Sequence, residues 1–263
     1  MTQNGNVLAR KEAGVGIVTF NNPQRHNAVS LEMWVATKEI LDDFAADGDV
    51  RVIILTGAGD KAFVSGADIS RFASERATRD AIRNYNVKTE AAFAGIYDFP
   101  KPTIAMIRGY CIGGGVALAT CCDLRICSAD ARFAVPAAKL GLGYGHAGLK
   151  RLVDIVGASY AKEIFYTARQ FDAQEACAMG LVNRVVPAAE LDSYVRDMTD
   201  MIRANAPLTI KAVKFTVGQI LQDESKRDIA SANEMVEQCF ASRDYVEGRT
   251  AFMEKRKPVF TGK

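Results

Sequence analysis

The 263-residue sequence predicts an α/β protein with a helical region appended on its C-terminal side. Three observations predict it. Short Val/Ile-rich runs alternate with helical stretches through the first half of the chain. Glycine-containing turns mark two points where such a run gives way to a helix. From Gly148 onward the pattern turns helical, with one short strand left. Hydrophobic residues make up 49% and charged residues 24% of the chain, as in ordinary globular proteins. The length suits one large domain, or one domain with a helical appendage, and can bury a core.

The elements follow in order. Gly16–Phe20 reads as a strand, broken by Asn21-Asn22-Pro23. Ser30 is placed to cap a helix in which Leu31, Trp34, Ile40, Leu41 and Phe44 share one face. Arg51–Leu55 is a buried strand and Phe63-Val64 a short one. A long helical region, irregular at its start, runs from about Asp68 to Tyr97 and is ended by Pro100 and Pro102. Thr103–Ile107 is a strand, and Gly113-Gly114-Gly115 opens a small-residue helix reaching about Thr120. Leu124–Cys127 and Arg132–Val135 are further short strands. Leu149–Val156, Ala158–Ala168 and Asp172–Met179 read as helices, and Leu181–Val186 as a last strand. Glu190–Ala204, Pro207–Leu221, Asp228–Phe240 and Ser242–Lys255 complete a helical tail.

Several function classes receive no support. Lys plus Arg is 33 against 31 Asp plus Glu, a net charge of +2, so there is no basic excess to form a nucleic-acid footprint. No apolar run approaches the roughly 20 residues of a membrane span. Met1 to Glu12 is polar, with neither the apolar core of a signal peptide nor the Arg/Ser-rich, acid-poor character of a transit peptide. The six cysteines form no CxxC pair and four lie in or beside apolar stretches, which reads as free buried thiols in a reducing cytoplasm. Only two histidines occur, His26 and His146, far apart, so no metal site is expected.

Two segments can carry chemistry. Ser65-Gly66-Ala67-Asp68 and Gly113-Gly114-Gly115 both sit where a strand runs into a helix. Helix starts expose unpaired N–H groups and partial positive charge, and glycine lets a substrate approach the backbone. Two such donors aimed at one point would make an oxyanion hole. From pattern alone both read first as ordinary turns, with Asp68 as a helix cap, since glycine-rich junctions are common in α/β folds. Gly143-Tyr144-Gly145-His146-Ala147-Gly148 matches GxGxxG, but no strand directly precedes it and two helices follow, so a nicotinamide-dependent enzyme is the weakest reading. A ligand-lining loop fits better. No P-loop or nucleophile elbow occurs. His146 has the residue type of a general base.

Taken together, several segments resemble the crotonase, or enoyl-CoA hydratase/isomerase, family. They are Asn22-Pro23 with Asn27-Ala28, Phe63–Asp68, Arg108–Gly115, Cys122–Cys127, Phe133–Pro136 with Lys139–Gly141, Gly180–Val182 and Phe252–Pro258. The resemblance spans nearly the whole chain. It implies a crotonase-like spiral of ββα units over residues 1–195, followed by a helical region, 196–263, that serves oligomerisation and covers the CoA site. It further implies an acyl-CoA thioester substrate, no separate cofactor beyond the coenzyme A of that substrate, and a homotrimer or dimer of trimers. Ala67 and Gly114 fall where the family's oxyanion-hole N–H groups lie. Arg25, His26 and Ala28 fall in a CoA-lining stretch. Asp68, Ile69, Gly113, Ala117, Pro136 and Ala137 fall around the acyl group, and Lys257 falls near the nucleotide phosphates, with Arg25 a second phosphate partner.

The sequence also departs from the family. Its hydratases carry one glutamate two residues after the GGG and another directly after the proline of Phe-x-x-Pro; here these positions are Ala117 and Ala137. Each such acid–base group is typically worth ~10²–10⁴ in rate. The remaining candidates on the Gly141–Gly148 segment are Tyr144 and His146. Tyr144 falls where a decarboxylating relative has a tyrosine, although such relatives have a histidine where this chain has Ala67. The expected activity is that of a lyase of this family. The alternatives are decarboxylase, isomerase or hydrolase chemistry through Tyr144 and His146, or acyl-CoA binding without catalysis. Asp123 is expected to tie the glycine-rich helix.

Overall fold

The computed structural model describes residues 3–4 and 6–263; Met1, Thr2 and Gly5 of the polar N-terminal stretch lie outside the described residues. Its strands are β1 (Gln3–Asn4), β2 (Val7–Glu12), β3 (Val15–Phe20), β4 (Val52–Gly57), β5 (Ala62–Val64), β6 (Thr103–Ile107), β7 (Tyr110–Ile112), β8 (Leu124–Ser128), β9 (Arg132–Ala134), β10 (Phe171–Asp172) and β11 (Arg184–Val186). They form a larger sheet in the order β1-β2-β3-β4-β6-β8-β11 and a smaller one in the order β10-β9-β7-β5. From β3 to β11 the larger sheet is parallel, as are β5, β7 and β9 in the smaller. The pairs β4/β5, β6/β7 and β8/β9 each give their first strand to the larger sheet and their second to the smaller. A helix then returns the chain, which generates the spiral of ββα units.

The helices are α1 (Leu31–Ala46), α2 (Phe72–Glu75), α3 (Arg79–Tyr97), α4 (Gly114–Cys121), α5 (His146–Thr167), α6 (Ala173–Ala178), α7 (Leu191–Arg203), α8 (Pro207–Ile220), α9 (Ile229–Ala241) and α10 (Arg243–Glu254). Ser30 caps α1 by accepting from Met33 N–H, and Trp34, Ile40, Leu41 and Phe44 are buried on one face of it. The expected irregularity after Asp68 is real: a 3₁₀ turn over Ile69–Arg71 and the four-residue α2 precede α3.

The central strands are apolar on both faces because both are covered, as parallel sheets require. On β4, Ile53 and Leu55 face the main core with Phe20, Phe63 and Ile107. Val52 and Ile54 face a second layer with Ile104 and Ile126, closed by Leu191 and Val195 of α7. α7 therefore belongs to the core and runs through residue 195; the helices beyond it begin at Pro207.

Four expectations need correction. The sequence shows Met1 to Glu12 only as a polar terminus, yet β2 within it pairs along its length with β3. The last strand starts at Arg184, not Leu181, because Leu181 and Val182 turn back onto Ala176 O through their N–H groups. The helix expected from Leu149 begins at His146 and joins the next one, with Gly157 (φ +75°) as a non-helical break between them. Asp123 does not tie α4. It accepts from Thr103 N–H at 2.7 Å, Thr103 Oγ1 at 3.0 Å and Lys214 Nζ at 2.8 Å, linking β6 to α8.

Of the six thiols, Cys111, Cys121, Cys122 and Cys127 are buried, Cys239 is half-buried and Cys177 is exposed. Burial raises the Cys121 and Cys127 thiols to about 12. Among the described residues, no helix is long and apolar enough to cross a membrane.

Candidate active site

The two glycine junctions, 47 residues apart in sequence by their central positions 67 and 114, meet in space. Gly66 takes φ +114°, a conformation open to glycine. The turn it makes carries Ala67 into a parallel bridge with Val29: Val29 N–H donates to Gly66 O at 2.9 Å and Asp68 N–H to Val29 O at 3.0 Å. Gly114 is the first residue of α4. A Cβ built there would lie 3.7 Å from Ala67 N, which sets the two peptides in van der Waals range. Neither the Ala67 nor the Gly114 N–H donates to another described residue. Gly113 N–H is engaged, donating to Ala134 O at 2.8 Å.

The stretch 22–28 is pinned against this turn. Asn27, 1% exposed with φ +57°, accepts from Asn22 N–H and donates to Ala58 O and Ala62 O at 3.0 and 2.7 Å. Ser65 N–H donates to His26 O, and Ala28 O accepts from Asn22 Nδ2. Arg25 pairs with Asp68: its Nη1 lies 3.1 Å from both carboxylate oxygens and also meets Ser70 Oγ, while its side chain stays 56% exposed. Ser70, Arg25 and a backbone N–H hold the Asp68 carboxyl below its ordinary value, against its partial burial. Asp68 also caps the following 3₁₀ turn through Ser70 N–H. The exposed His26 ring meets Tyr110 edge-on at 6.0 Å, and Ile69 is exposed.

Ala117 lies one turn into α4, its N–H on Gly113 O, half-exposed. Pro136 opens a 3₁₀ turn that buries Ala137, whose carbonyl accepts from Leu142 N–H at 3.0 Å. Tyr144 packs on the main core and edge-on to Phe165 at 4.8 Å; burial pushes its phenol up from the ordinary value. His146 is exposed at the start of α5. Lys257 is exposed in the C-terminal segment, its carbonyl accepting from Arg256. The 143–148 segment follows a 3₁₀ turn and a loop, not a strand, so it lacks the context of a dinucleotide fingerprint.

Sequence reasoning missed Ser70 and Arg76. Ser70 had a faint signal, two residues after an acidic cap. Arg76 had none: its guanidinium carbon lies 4.1 Å from the ring centroids of both Phe72 and Tyr85, in an irregular stretch with no periodicity to read.

Comparison with known proteins agrees with this architecture. The chain is 36% identical over 252 residues to a short-chain-enoyl-CoA hydratase of Clostridium acetobutylicum, covering 96% of each chain. It is 35% identical to a crotonyl-CoA hydratase of Syntrophomonas wolfei, covering 98% of each. It is 34% identical to a carnitinyl-CoA dehydratase of Escherichia coli, covering 100% of this chain and 98% of that one. Among solved structures, an enoyl-CoA hydratase/carnithine racemase from Magnetospirillum magneticum superposes with a TM-score of 0.91 at 34% identity, covering 98% and 96% of the two chains. The enoyl-CoA hydratase/isomerase family model matches residues 10–263, and on that match and these full-length likenesses the chain belongs to the enoyl-CoA hydratase/isomerase family.

Proposed function

We propose that this chain is an acyl-CoA enzyme that holds a thioester oxygen between the N–H groups of Ala67 and Gly114 and stabilises the enolate that forms on it. The observation that carries the reading is the adjacency of two unengaged backbone donors, one of them at the start of α4. Donors fixed in advance where charge develops cost no reorganisation, and one such donor is typically worth ~10²–10³ in rate.

The chemistry completed there does not pass through side chains at 117 and 137, since an alanine methyl transfers no proton. Tyr144 is the polar group nearest in sequence to Ala137 that burial keeps protonated, so it acts as an O–H donor. His146, exposed at the mouth of the same segment, is the second candidate for proton transfer. The names of the hydratase and dehydratase relatives support addition or loss of water as the reaction class; the two alanines favour a route in which another group, or the substrate itself, supplies the electrons.

The apolar face of the C-terminal helices is read as the contact between copies of the chain. Val213, Val217, Phe240 and Phe252 are exposed there, around a cavity of about 810 Å³. The four buried thiols suit a reducing cytoplasm.

The test is turnover of crotonyl-CoA, and of malonyl-type, aromatic and branched acyl-CoAs, followed by mass spectrometry of the products, with Gly114→Pro beside the wild type. Proline is well tolerated at a first helical position and removes the N–H. The variant is expected to stay folded and lose at least about a hundredfold in rate on any active substrate. Unchanged turnover overturns the assignment.

A further inference from the structure

Arg125, on β8, is a cation buried without a carboxylate partner. It is 6% exposed, and no ion pair joins it to any described residue. Asp123, two residues before it, is engaged by Thr103 and by Lys214 Nζ at 2.8 Å. The guanidinium donates to main-chain carbonyls instead: Nε to Leu181 O at 2.7 Å, and Nη1 to Cys122 O at 2.6 Å and to Ala119 O at 3.4 Å. The arginine's own backbone is held as well. Its N–H donates to Asn183 Oδ1 and its carbonyl accepts from Asn183 N–H, both at 2.8 Å. Buried charges are normally paired with opposite ones. Here only peptide dipoles face this one.

Two of those carbonyls close the C-terminal end of α4. Ala119 lies in its last turn, and Cys122 follows it with its N–H on Ala119 O at 3.1 Å. A helix end buried from water needs partners for its last carbonyls, and Cys121 and Cys122 are 2% and 4% exposed. A neutral donor would meet that need. An arginine stays protonated, so it also places a full positive charge where α4 carries its negative end. The opposite end of the same helix is Gly114, whose N–H is unengaged. Eight residues of 1.5 Å rise separate the two ends by about 12 Å. The helix between them is buried at Gly115, Val116, Leu118, Ala119 and Thr120, so little water screens one end from the other.

We propose that Arg125 is a positioning residue of the candidate oxyanion hole: it fixes α4 by its last carbonyls and, by offsetting the negative end of that helix, strengthens the pull of the Gly114 N–H on the thioester oxygen. This rests on the reading of Ala67 and Gly114 above. Arg125 touches no substrate and moves no proton. At about 12 Å and an effective dielectric of about 20, a unit charge is worth about tenfold in the rate of forming an enolate. The ground-state thioester carries far less charge on its oxygen. Its binding therefore changes little, while the polarisation of its carbonyl and its turnover both respond.

The experiment reads the infrared carbonyl band of butyryl-CoA and benzoyl-CoA, each isotope-labelled at the thioester carbon, free and bound to the full chain. Donors and positive charge at the oxygen weaken the C=O bond, so the wild type is expected to lower the band. Arg125→Gln keeps an N–H donor for the carbonyls and loses the charge. It should give back part of that lowering, bind both esters within about twofold of wild type, and cut kcat about tenfold on any ester that is turned over, with KM unchanged. Arg125→Lys keeps the charge and should keep the lowered band; it carries the test if the glutamine variant does not fold. It is measured at about pH 6, which favours its protonated form. A wild-type lowering that Arg125→Gln leaves whole, or that Arg125→Lys loses, makes Arg125 a structural cap only and overturns the inference, while the oxyanion-hole reading stands. If neither ester shows a lowered band on the wild type, the oxyanion-hole reading falls and takes the inference with it.

Discussion

Replacing Asn27 tests how the 22–28 stretch is held against the Gly66–Ala67 turn. Its side chain makes three hydrogen bonds, from Asn22 N–H and to Ala58 O and Ala62 O. The residue is 1% exposed, so water does not replace them. At ~1 kcal/mol net for each bond, Asn27→Ala loses ~3 kcal/mol. Its φ of +57° adds a second cost, since alanine pays ~1 kcal/mol in the left-handed region where asparagine is at ease. The expected loss is ~4 kcal/mol, a large share of the ~5–15 kcal/mol that stabilises a typical domain. Asn27→Gly loses the same bonds without the backbone penalty and should be the milder change by ~1 kcal/mol. Asn27→Asp keeps the acceptor for Asn22 N–H but turns an oxygen toward two carbonyls, and should be the worst of the three. Urea unfolding at one protein concentration reads these differences through the sole tryptophan, Trp34, buried on α1 between Phe20 and Phe93. A loss under ~1 kcal/mol for Asn27→Ala, or a glycine variant less stable than the alanine one, would refute the reasoning.

Two further outcomes follow from the same structure. Gly115→Ala would place a Cβ 2.1 Å from Val64 O, a backbone atom that cannot step aside, whereas Gly114→Ala meets nothing closer than 3.7 Å. The first should cost at least the ~1–3 kcal/mol of overpacking and the second should leave thermal stability nearly unchanged, so equal melting temperatures would contradict the close approach of α4 to β5. Glu247 holds the C-terminal segment through Arg256 Nη1 and Nη2 at 2.6 and 2.8 Å and Val259 N–H at 2.8 Å, which lower its carboxyl from 4.5 to about 2. A carboxyl lowered by folding adds stability above its unfolded value and loses it as pH falls toward the folded one. Amide exchange of the segment around Val259 should therefore quicken between about pH 4.5 and 2, and protection unchanged across that window would remove Glu247 from this role.

Much of the fold could be read directly. Parallel strands buried on two faces are continuous apolar runs, and Arg51–Leu55 and Thr103–Ile107 showed themselves that way. Ser30 and the apolar stripe behind it located α1. The elements missed had weak local signals. β2 is half-exposed, and its Arg-Lys-Glu end reads as polar surface. β7 is three residues long, and β10 only two. Their partners lie far along the chain and supply the pairing that their own residues do not announce.

The sequence by itself determined the α/β class, the order of the main elements, the two glycine junctions and the loss of carboxylates at 117 and 137, because each is a property of residue type and local spacing. The tertiary structure alone decided that a Cβ on Gly114 would come within 3.7 Å of Ala67 N, that Arg25 pairs with Asp68, that Asp123 serves α8, and that Arg76 lies 4.1 Å from the centroids of two rings. These are contacts across crossover connections, set by how helices return over two sheets. No periodicity within a window of sequence carries that information.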